Sequence, residues 1–157
     1  MDYHFTDRAT FVSMAERGEF LEWAEFNGQL YGTTRAFVEA EIAAGKDVIL
    51  DIDVQGTKQV KALVEDATPI FVLPPSFDEL QRRLKVRMLE SDEVIRRRLE
   101  IAKGEILFYS DYDYIIINDV LDNSIRLLEC IIRSGRAVPS RQESRIGEII
   151  ASFGGIA

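Results

Sequence analysis

The chain has 157 residues, of which 46% are hydrophobic, enough for one ordinary globular domain with a buried core. Its formal net charge of -8 disfavours general nucleic-acid binding, which needs a basic face over the whole domain. The single cysteine, Cys130, excludes an intrachain disulfide, and the single histidine, His4, leaves no histidine metal site or catalytic triad. Because Cys130 lies in the apolar stretch LLECII, we expect it to be buried.

No apolar run reaches the roughly 20 residues of a membrane-spanning helix. The first residues, MDYHFTDRATF, lack the basic start and apolar stretch of a signal peptide. We therefore expect a cytoplasmic protein with no membrane or nucleic-acid partner, a compartment that also suits a lone cysteine. The residues leave the oligomeric state open, with a homo-oligomer as one option.

Hydrophobic periodicity and turn residues predict alternating helices and strands. Ser76 and Glu79 have the spacing of a capping box at one helix start. The predicted helices span 7–16, 34–44, 56–65, 76–87, 91–109, 122–134 and 140–153. The predicted strands are two short ones within 20–34, then 47–54, 69–75 and 113–119. Strands joined by helices of this length predict an α/β domain with a parallel sheet.

Polar residues stand where two of the predicted parallel strands end. Asp51 and Asp53 end the strand DVILDIDV, and Asn118 and Asp119 end the strand DYIIIND. Ligands of parallel sheets bind at the carboxyl ends of the strands, and carboxylates there can hold magnesium directly or through water. The alternative for Asp53 is a plain cap of the following helix, which is equally consistent with the sequence.

The segment 20–34, FLEWAEFNGQLYGTT, predicts two tight strands, with Gly28 and Gly32 placed for turns. Glu22, Tyr31 and Thr33 could face one pocket. A carboxylate only accepts hydrogen bonds, so Glu22 could accept from N1–H and the N2 amino group of guanine and would reject adenine. The hydroxyls of Tyr31 and Tyr3 could donate to a monophosphate. The alternative is a packed hairpin whose aromatic residues are only core.

Seven of the nineteen Lys and Arg residues fall in 82–98, RRLKVRMLESDEVIRRR, on an otherwise acidic chain. Arg83 and Arg87 share one helix face, and Arg98 lies on the next helix beyond a break. Two basic helices with a bend between them can close guanidinium groups around a polyphosphate. The alternative is a solvated helix pair whose charges are balanced by neighbouring acids.

The succession DYHF, GEFLEWAEFNGQLYGT, VILDIDVQG, IFVLPPS, RRLKVR, SDEVIRRRL, YDYIIIND and SRQ resembles guanylate kinases over nearly the whole chain. The resemblance implies an α/β fold of the P-loop nucleoside-monophosphate kinase type and ATP-dependent phosphorylation of GMP to GDP. It also implies one guanylate-kinase-like domain over 1–157, with a GMP-binding flap at about 3–34 and a lid at about 84–98. The expected ligands are GMP, ATP and magnesium.

The resemblance also implies roles for individual residues. The GMP-binding residues would be Tyr3, Glu22, Tyr31, Thr33 and Asp53. The lid arginines, with catalytic and ATP-binding roles, would be Arg83, Arg87 and Arg98. Asn118 would lie near the adenine of ATP, and Asp51 would lie near magnesium, directly or through water.

Two family motifs do not occur in the 157 residues. One is the glycine-rich loop G-x-x-x-x-G-K-[ST], since Gly45-Lys46 follows a predicted helix, precedes Asp47 and lacks the earlier glycine. The other is R-x-x-R-x-G-E, whose arginines hold the GMP phosphate in the family. The lid reads Arg87-Met88-Leu89-Glu90-Ser91 in place of the usual R-G-[TQ]-[DE]-[ST]. These departures predict an N-terminally truncated member that lacks the first strand and the P-loop.

We expect negligible kinase activity from the 157 residues alone, because phosphoryl transfer depends on positioning and electrostatics that the P-loop supplies. In the family's strand order, the missing strand lies between the strands that end at Asp53 and Leu73. Three classes stay open: a guanylate kinase whose N-terminus is not represented, a non-catalytic guanylate-kinase-like module that binds GMP or a phosphopeptide, and a decaying reading frame.

Overall fold

The computed structural model describes residues 4–26, 28–87 and 91–154. The chain divides into two compact units, a first unit of Met1–Pro69 and a second unit of Ile70–Ala157. The helices within the described residues are α1 (Arg8–Glu16), α2 (Arg35–Ala43), α3 (Val54–Leu63), α4 (Phe77–Arg87), α5 (Asp92–Glu105), α6 (Leu121–Gly135) and α7 (Glu143–Ser152). The strands are β1 (Phe20–Phe26), β2 (Gln29–Thr34), β3 (Ile70–Leu73) and β4 (Tyr114–Ile117). Two short 3-10 helices span Ile106–Asp111 and Pro139–Arg141.

The first unit is built around the antiparallel hairpin of β1 and β2. The register shifts between Phe20 and Glu22, which marks a β-bulge early in β1. Phe11 of α1 covers one face of the hairpin, with ring centroids 4.3 Å from Phe20 and 6.2 Å from Trp23. Without the bulge, Phe20 and Trp23 would point to opposite faces, because side chains alternate along a strand. The bulge therefore places both aromatic rings on the α1 face and leaves Glu22 on the other.

Helix α3 begins at Asp53, whose carboxylate accepts a 2.7 Å hydrogen bond from the Gly56 N–H. This is the helix cap that the sequence left open for Asp53. Val54 is buried at the start of the helix, and Thr57 donates its hydroxyl to the Asp53 carbonyl at 2.9 Å. The first turn of α3 is thus fixed by hydrogen bonds and by burial, and it contacts β1.

The strand predicted over 47–54 is a wrong prediction. Residues 46–53 have no regular secondary structure, and Ile49 in their midst is 61% exposed. β-branched residues favour a strand only where a neighbouring strand supplies hydrogen bonds and cover. Within the described residues, the strand pairs are β1 with β2 and β3 with β4, so this segment has no such neighbour there.

The second unit contains the parallel pair β3 and β4, in the register Ile70 with Tyr114 through Leu73 with Ile117. The Asn118 N–H donates to the Leu73 carbonyl at 2.7 Å and extends this ladder by one bond. Among the described residues of this unit, the buried apolar ones are Ile95, Leu99, Ile116 and Ile131. Helices alternating with a parallel pair confirm the predicted α/β class.

Smaller departures concern helix ends and one side chain. The helix predicted over 91–109 is α5 followed by the first 3-10 helix, and the last predicted helix begins with the second. Half of the predicted capping box forms, with the Glu79 N–H donating to Ser76 Oγ at 3.1 Å. Cys130, expected to be buried, is exposed on α6. In the described ranges, no helix is both long and apolar enough to cross a membrane.

Candidate functional site

The first unit holds a buried carboxylate at Glu22, which is 7% exposed. Glu22 pairs with Thr33 across the hairpin, and Thr33 Oγ1 donates to Glu22 Oε1 at 2.7 Å. Within the described residues, Oε2 has no hydrogen-bond donor of its own. A buried carboxylate with an oxygen available for further donors is suited to a ligand that brings N–H groups.

Asp53 and Glu22 converge on one point, the position that a Cβ atom at Gly56 would occupy. Glu22 Oε2 lies 3.2 Å from that point and Asp53 Oδ1 lies 3.5 Å from it. Any side chain at Gly56 would press on the Glu22 carboxylate, and Gly56 is buried. The absence of a side chain at position 56 therefore leaves room for two acceptors beside the start of α3.

Gln59 lies one turn beyond Gly56 on α3 and reaches the main chain of β1. Its Oε1 accepts from the Trp23 N–H at 3.1 Å, and its Nε2 donates to the Trp23 carbonyl at 2.9 Å. The residue next to Glu22 is thus held by both of its main-chain polar groups. No sequence pattern predicts this contact, because a glutamine on a helix is equally compatible with simple solvation.

Tyr31 and Tyr3 were also predicted to bind GMP, and Asp51 was predicted to lie near magnesium. Tyr31 lies two positions before Thr33 on β2, so both side chains are on the same face of the strand, and Tyr31 is 49% exposed. Tyr3 lies outside the described residues. Asp51 lies in the irregular segment before α3 and is exposed. Among the described residues, no group of three or more His, Cys, Asp or Glu side chains is placed to hold a metal ion.

In the second unit, Arg83 of α4 binds protein groups with all three of its nitrogens. Its Nε donates to Glu79 Oε1 at 2.6 Å, its Nη1 to the Asn118 carbonyl at 2.7 Å, and its Nη2 to the Asp119 carbonyl at 3.4 Å. Arg83 thereby ties the residues that follow β4 to α4. Only 35% of its side chain is exposed.

Glu79 links the two arginines at the start of the basic segment. Arg82 donates to both oxygens of Glu79 at 2.7 Å, and this pair is the main cause that lowers the pKa of Glu79 to about 2. The hydrogen bond from Arg83 is the second cause. The same bonds raise the pKa of Arg82. Glu79 therefore balances part of the positive charge of the basic segment, which the sequence predicted to bind an anionic ligand.

The remaining predicted site residues of the second unit are Asn118, Arg98 and Arg87. Asn118 Oδ1 accepts from Ser124 Oγ at 3.2 Å, so the amide of Asn118 is fixed at the start of α6. Arg98 lies half-buried on α5. The side chain of Arg87 lies outside the described residues, as do residues 88–90 of the lid.

The structure thus brings together Glu22, Thr33 and Asp53 in the first unit, and Arg83 with Asn118 and Asp119 in the second. The roles assigned to these residues stay predictions.

Comparisons with known proteins identify the family of the chain. The family model "Guanylate kinase" matches residues 1–135. A guanylate kinase of Pseudomonas fluorescens is 44% identical over 153 residues, covering 98% of this chain and 74% of the relative. A guanylate kinase of Thermotoga maritima is 44% identical over 145 residues, covering 92% of this chain and 70% of the relative.

Solved structures show the same kinship. The crystal structure of guanylate kinase from Anaplasma phagocytophilum superposes with a TM-score of 0.78 at 30% identity, covering 99% of this chain and 76% of that one. The protein therefore has the α/β guanylate kinase fold. It belongs to the guanylate kinase family.

Proposed function

We propose that this chain binds GMP at the first-unit site and carries the GMP-binding, lid and core parts of the ATP-dependent conversion of GMP to GDP. The observation that supports this most is the pair Glu22 and Thr33, a buried carboxylate that is held by one hydroxyl and keeps an acceptor oxygen toward Gly56. A lone cysteine suits a reducing compartment, and we place the reaction in the cytoplasm.

Guanine recognition follows from the acceptors at this site. Guanine presents N1–H and the N2 amino group on one edge, and both are donors. Glu22 accepts from them while Thr33 keeps the carboxylate in place, and Asp53 offers a second acceptor close by. Adenine has an acceptor at N1, so it would leave the buried carboxylate unpaired. Tyr31, together with Tyr3, is proposed to donate its hydroxyl to the phosphate.

The ATP side is proposed to use the basic segment of the second unit. Arg83, Arg87 and Arg98 would contact the phosphates and stabilise the charge of the transition state. Arg83 would first have to exchange its bonds to Glu79 and the Asn118 carbonyl for bonds to phosphate. Asn118 would lie near the adenine.

Magnesium would be held here by few protein groups. Mg²⁺ in nucleotide sites keeps several waters and takes one or two carboxylates plus phosphate oxygens. The exposed carboxylate of Asp51 fits that donor set through water, and the described residues offer no denser acidic cluster. The ion would supply charge neutralisation between ATP phosphates when bound.

We expect negligible turnover from a polypeptide of these 157 residues alone. They contain no G-x-x-x-x-G-K-[ST] segment, and the backbone amides and lysine of that loop hold the transferred phosphate in line in P-loop kinases. An ADP-release assay with GMP and ATP tests this directly. Turnover in the usual range of kinases, about 1–100 per second, would contradict it.

Binding is tested separately by calorimetry with GMP and with AMP. We expect GMP to bind at least about a hundredfold more tightly than AMP, because the mismatch leaves buried polar groups unpaired. Equal affinities would refute the proposal.

The second candidate is a non-catalytic guanylate-kinase-like module that binds GMP or a phosphopeptide. It is favoured by the combination of an intact Glu22–Thr33 pair with the missing loop motif. A phosphopeptide that competes with GMP in the same calorimetric titration would support the module. Absence of competition would favour the first candidate, in which the chain carries parts of a guanylate kinase.

A further inference from the structure

Gln59 forms two hydrogen bonds with the main chain of β1 beside Glu22, the candidate guanine-binding carboxylate. Its amide accepts from the Trp23 N–H at 3.1 Å and donates to the Trp23 carbonyl at 2.9 Å. In an antiparallel pair, the main-chain groups of alternate residues point away from the partner strand. Those of Trp23 point to the edge of β1 that β2 does not occupy, and Gln59 serves there in place of a third strand.

These two hydrogen bonds add to the packing of Phe11 on the other side of the hairpin. A two-stranded hairpin is marginally stable by itself and takes its position from what packs on it. The bulge between Phe20 and Glu22 interrupts the β1–β2 ladder just before Trp23. A single hydrogen bond would let β1 rotate about it. The two hydrogen bonds of one amide restrict both the position and the orientation of β1 relative to α3.

The same helix face carries both Gln59 and Gly56, since they are three residues apart. Gly56 is the place where the Glu22 carboxylate approaches α3, with Oε2 3.2 Å from the position of a Cβ. Moving β1 along α3 would move Glu22 away from Asp53 and onto the backbone of the helix. Gln59 therefore sets how Glu22 and Asp53 face each other.

We propose that Gln59 is a positioning residue that determines purine specificity, because it holds β1 so that Glu22 meets the start of α3 in the geometry that guanine needs. The proposal rests on the proposed function, in which Glu22 and Asp53 read guanine. Gln59 itself does not contact the base.

The test compares Gln59→Met with Gln55→Met in the full 157-residue chain. Methionine keeps the length of glutamine and lacks the amide. Gln55 is an exposed residue of the same helix, so its variant controls for the substitution. We expect amide hydrogen exchange at Trp23 to become about tenfold faster in Gln59→Met, the effect of losing one hydrogen bond, and to stay unchanged in Gln55→Met.

Nucleotide binding is measured on the same proteins. We expect the ratio of GMP to AMP affinity to fall about tenfold in Gln59→Met and to stay within twofold of wild type in Gln55→Met. Gln59→Leu also lacks the amide and replaces Gln59→Met in both measurements if that variant does not fold.

Two results would overturn the inference alone: an unchanged exchange rate at Trp23, or an unchanged affinity ratio in a chain whose wild type prefers GMP. A role limited to stability would lower the melting temperature and weaken GMP and AMP alike. A wild-type chain that binds both nucleotides equally would instead refute the proposed function, and the inference would fall with it.

Discussion

Replacing Glu22 by glutamine removes the charge of the candidate guanine-binding residue with almost no change in side-chain volume. The glutamine can still accept the 2.7 Å hydrogen bond from Thr33 with its oxygen. Its NH2 group then occupies the place of Oε2, beside Gly56. A donor at that place faces the N1–H and N2 donors of guanine and cannot pair with them.

The expected loss follows from these contacts. A hydrogen bond to a charged group is worth about 1.5–3 kcal/mol. Glu22 is 7% exposed, so water cannot readily replace the lost partner. We expect GMP affinity to fall by about 10- to 150-fold in calorimetry. AMP affinity should be unchanged or slightly higher, because the new NH2 can donate to N1 of adenine.

Glu25→Gln is the matched control on the same strand. Glu25 forms an exposed ion pair with Arg8 at 3.0 Å, which is worth at most about 1 kcal/mol to stability and should not affect nucleotide binding. GMP affinity that stays within about twofold of wild type in Glu22→Gln would refute the reasoning.

Further predictions concern the scaffold around the site. Gly32→Ala should destabilise the chain by about 1–3 kcal/mol in urea unfolding, because its Cβ would lie 2.7 Å from the Glu22 carbonyl and 2.8 Å from Trp23 Cβ. Gly147→Ala on α7 meets nothing within 4 Å and should stabilise by about 0.5–1 kcal/mol, so equal effects would contradict the clash. Asp53→Asn should keep the α3 cap and the unfolding midpoint while weakening GMP, whereas a loss of stability with unchanged GMP affinity would leave Asp53 only a structural role. The pKa of Glu79 is lowered from its usual value of 4.5 to about 2, so its contribution to stability is complete above about pH 4.5 and is lost as the pH falls toward 2. The difference in unfolding midpoint between wild type and Glu79→Gln should therefore close over that range, and a difference independent of pH would contradict the ion pair.

Local features of the chain could be predicted because they depend on neighbouring residues. Glycines mark the end of α1 at Gly18, the hairpin turn at Gly28 and the end of α2 at Gly45, and their φ angles are 69°, 76° and 77°. The Asp53 cap and the pairing of Glu22 with Thr33 also lie within short stretches of sequence. Most helix and strand positions follow from the same kind of local signal.

Features that depend on distant partners could not be predicted. The segment 47–54 has the composition of a buried strand, but a strand needs a neighbour in the structure. The bulge in β1 changes which residues share a face, and the letters FLEWAEF show no sign of it. The exposure of Cys130 depends on what covers α6, and the contact of Gln59 with Trp23 joins residues 36 apart.

The most direct test of the account is a crystal structure of the chain with bound GMP. We expect the guanine N1 and N2 atoms to lie at hydrogen-bond distance, about 2.7–3.2 Å, from the Glu22 carboxylate, with Thr33 still bound to the same carboxylate. A guanine that occupies another place, or a Glu22 that stays bound to Thr33 without touching the base, would contradict the assignment of this site.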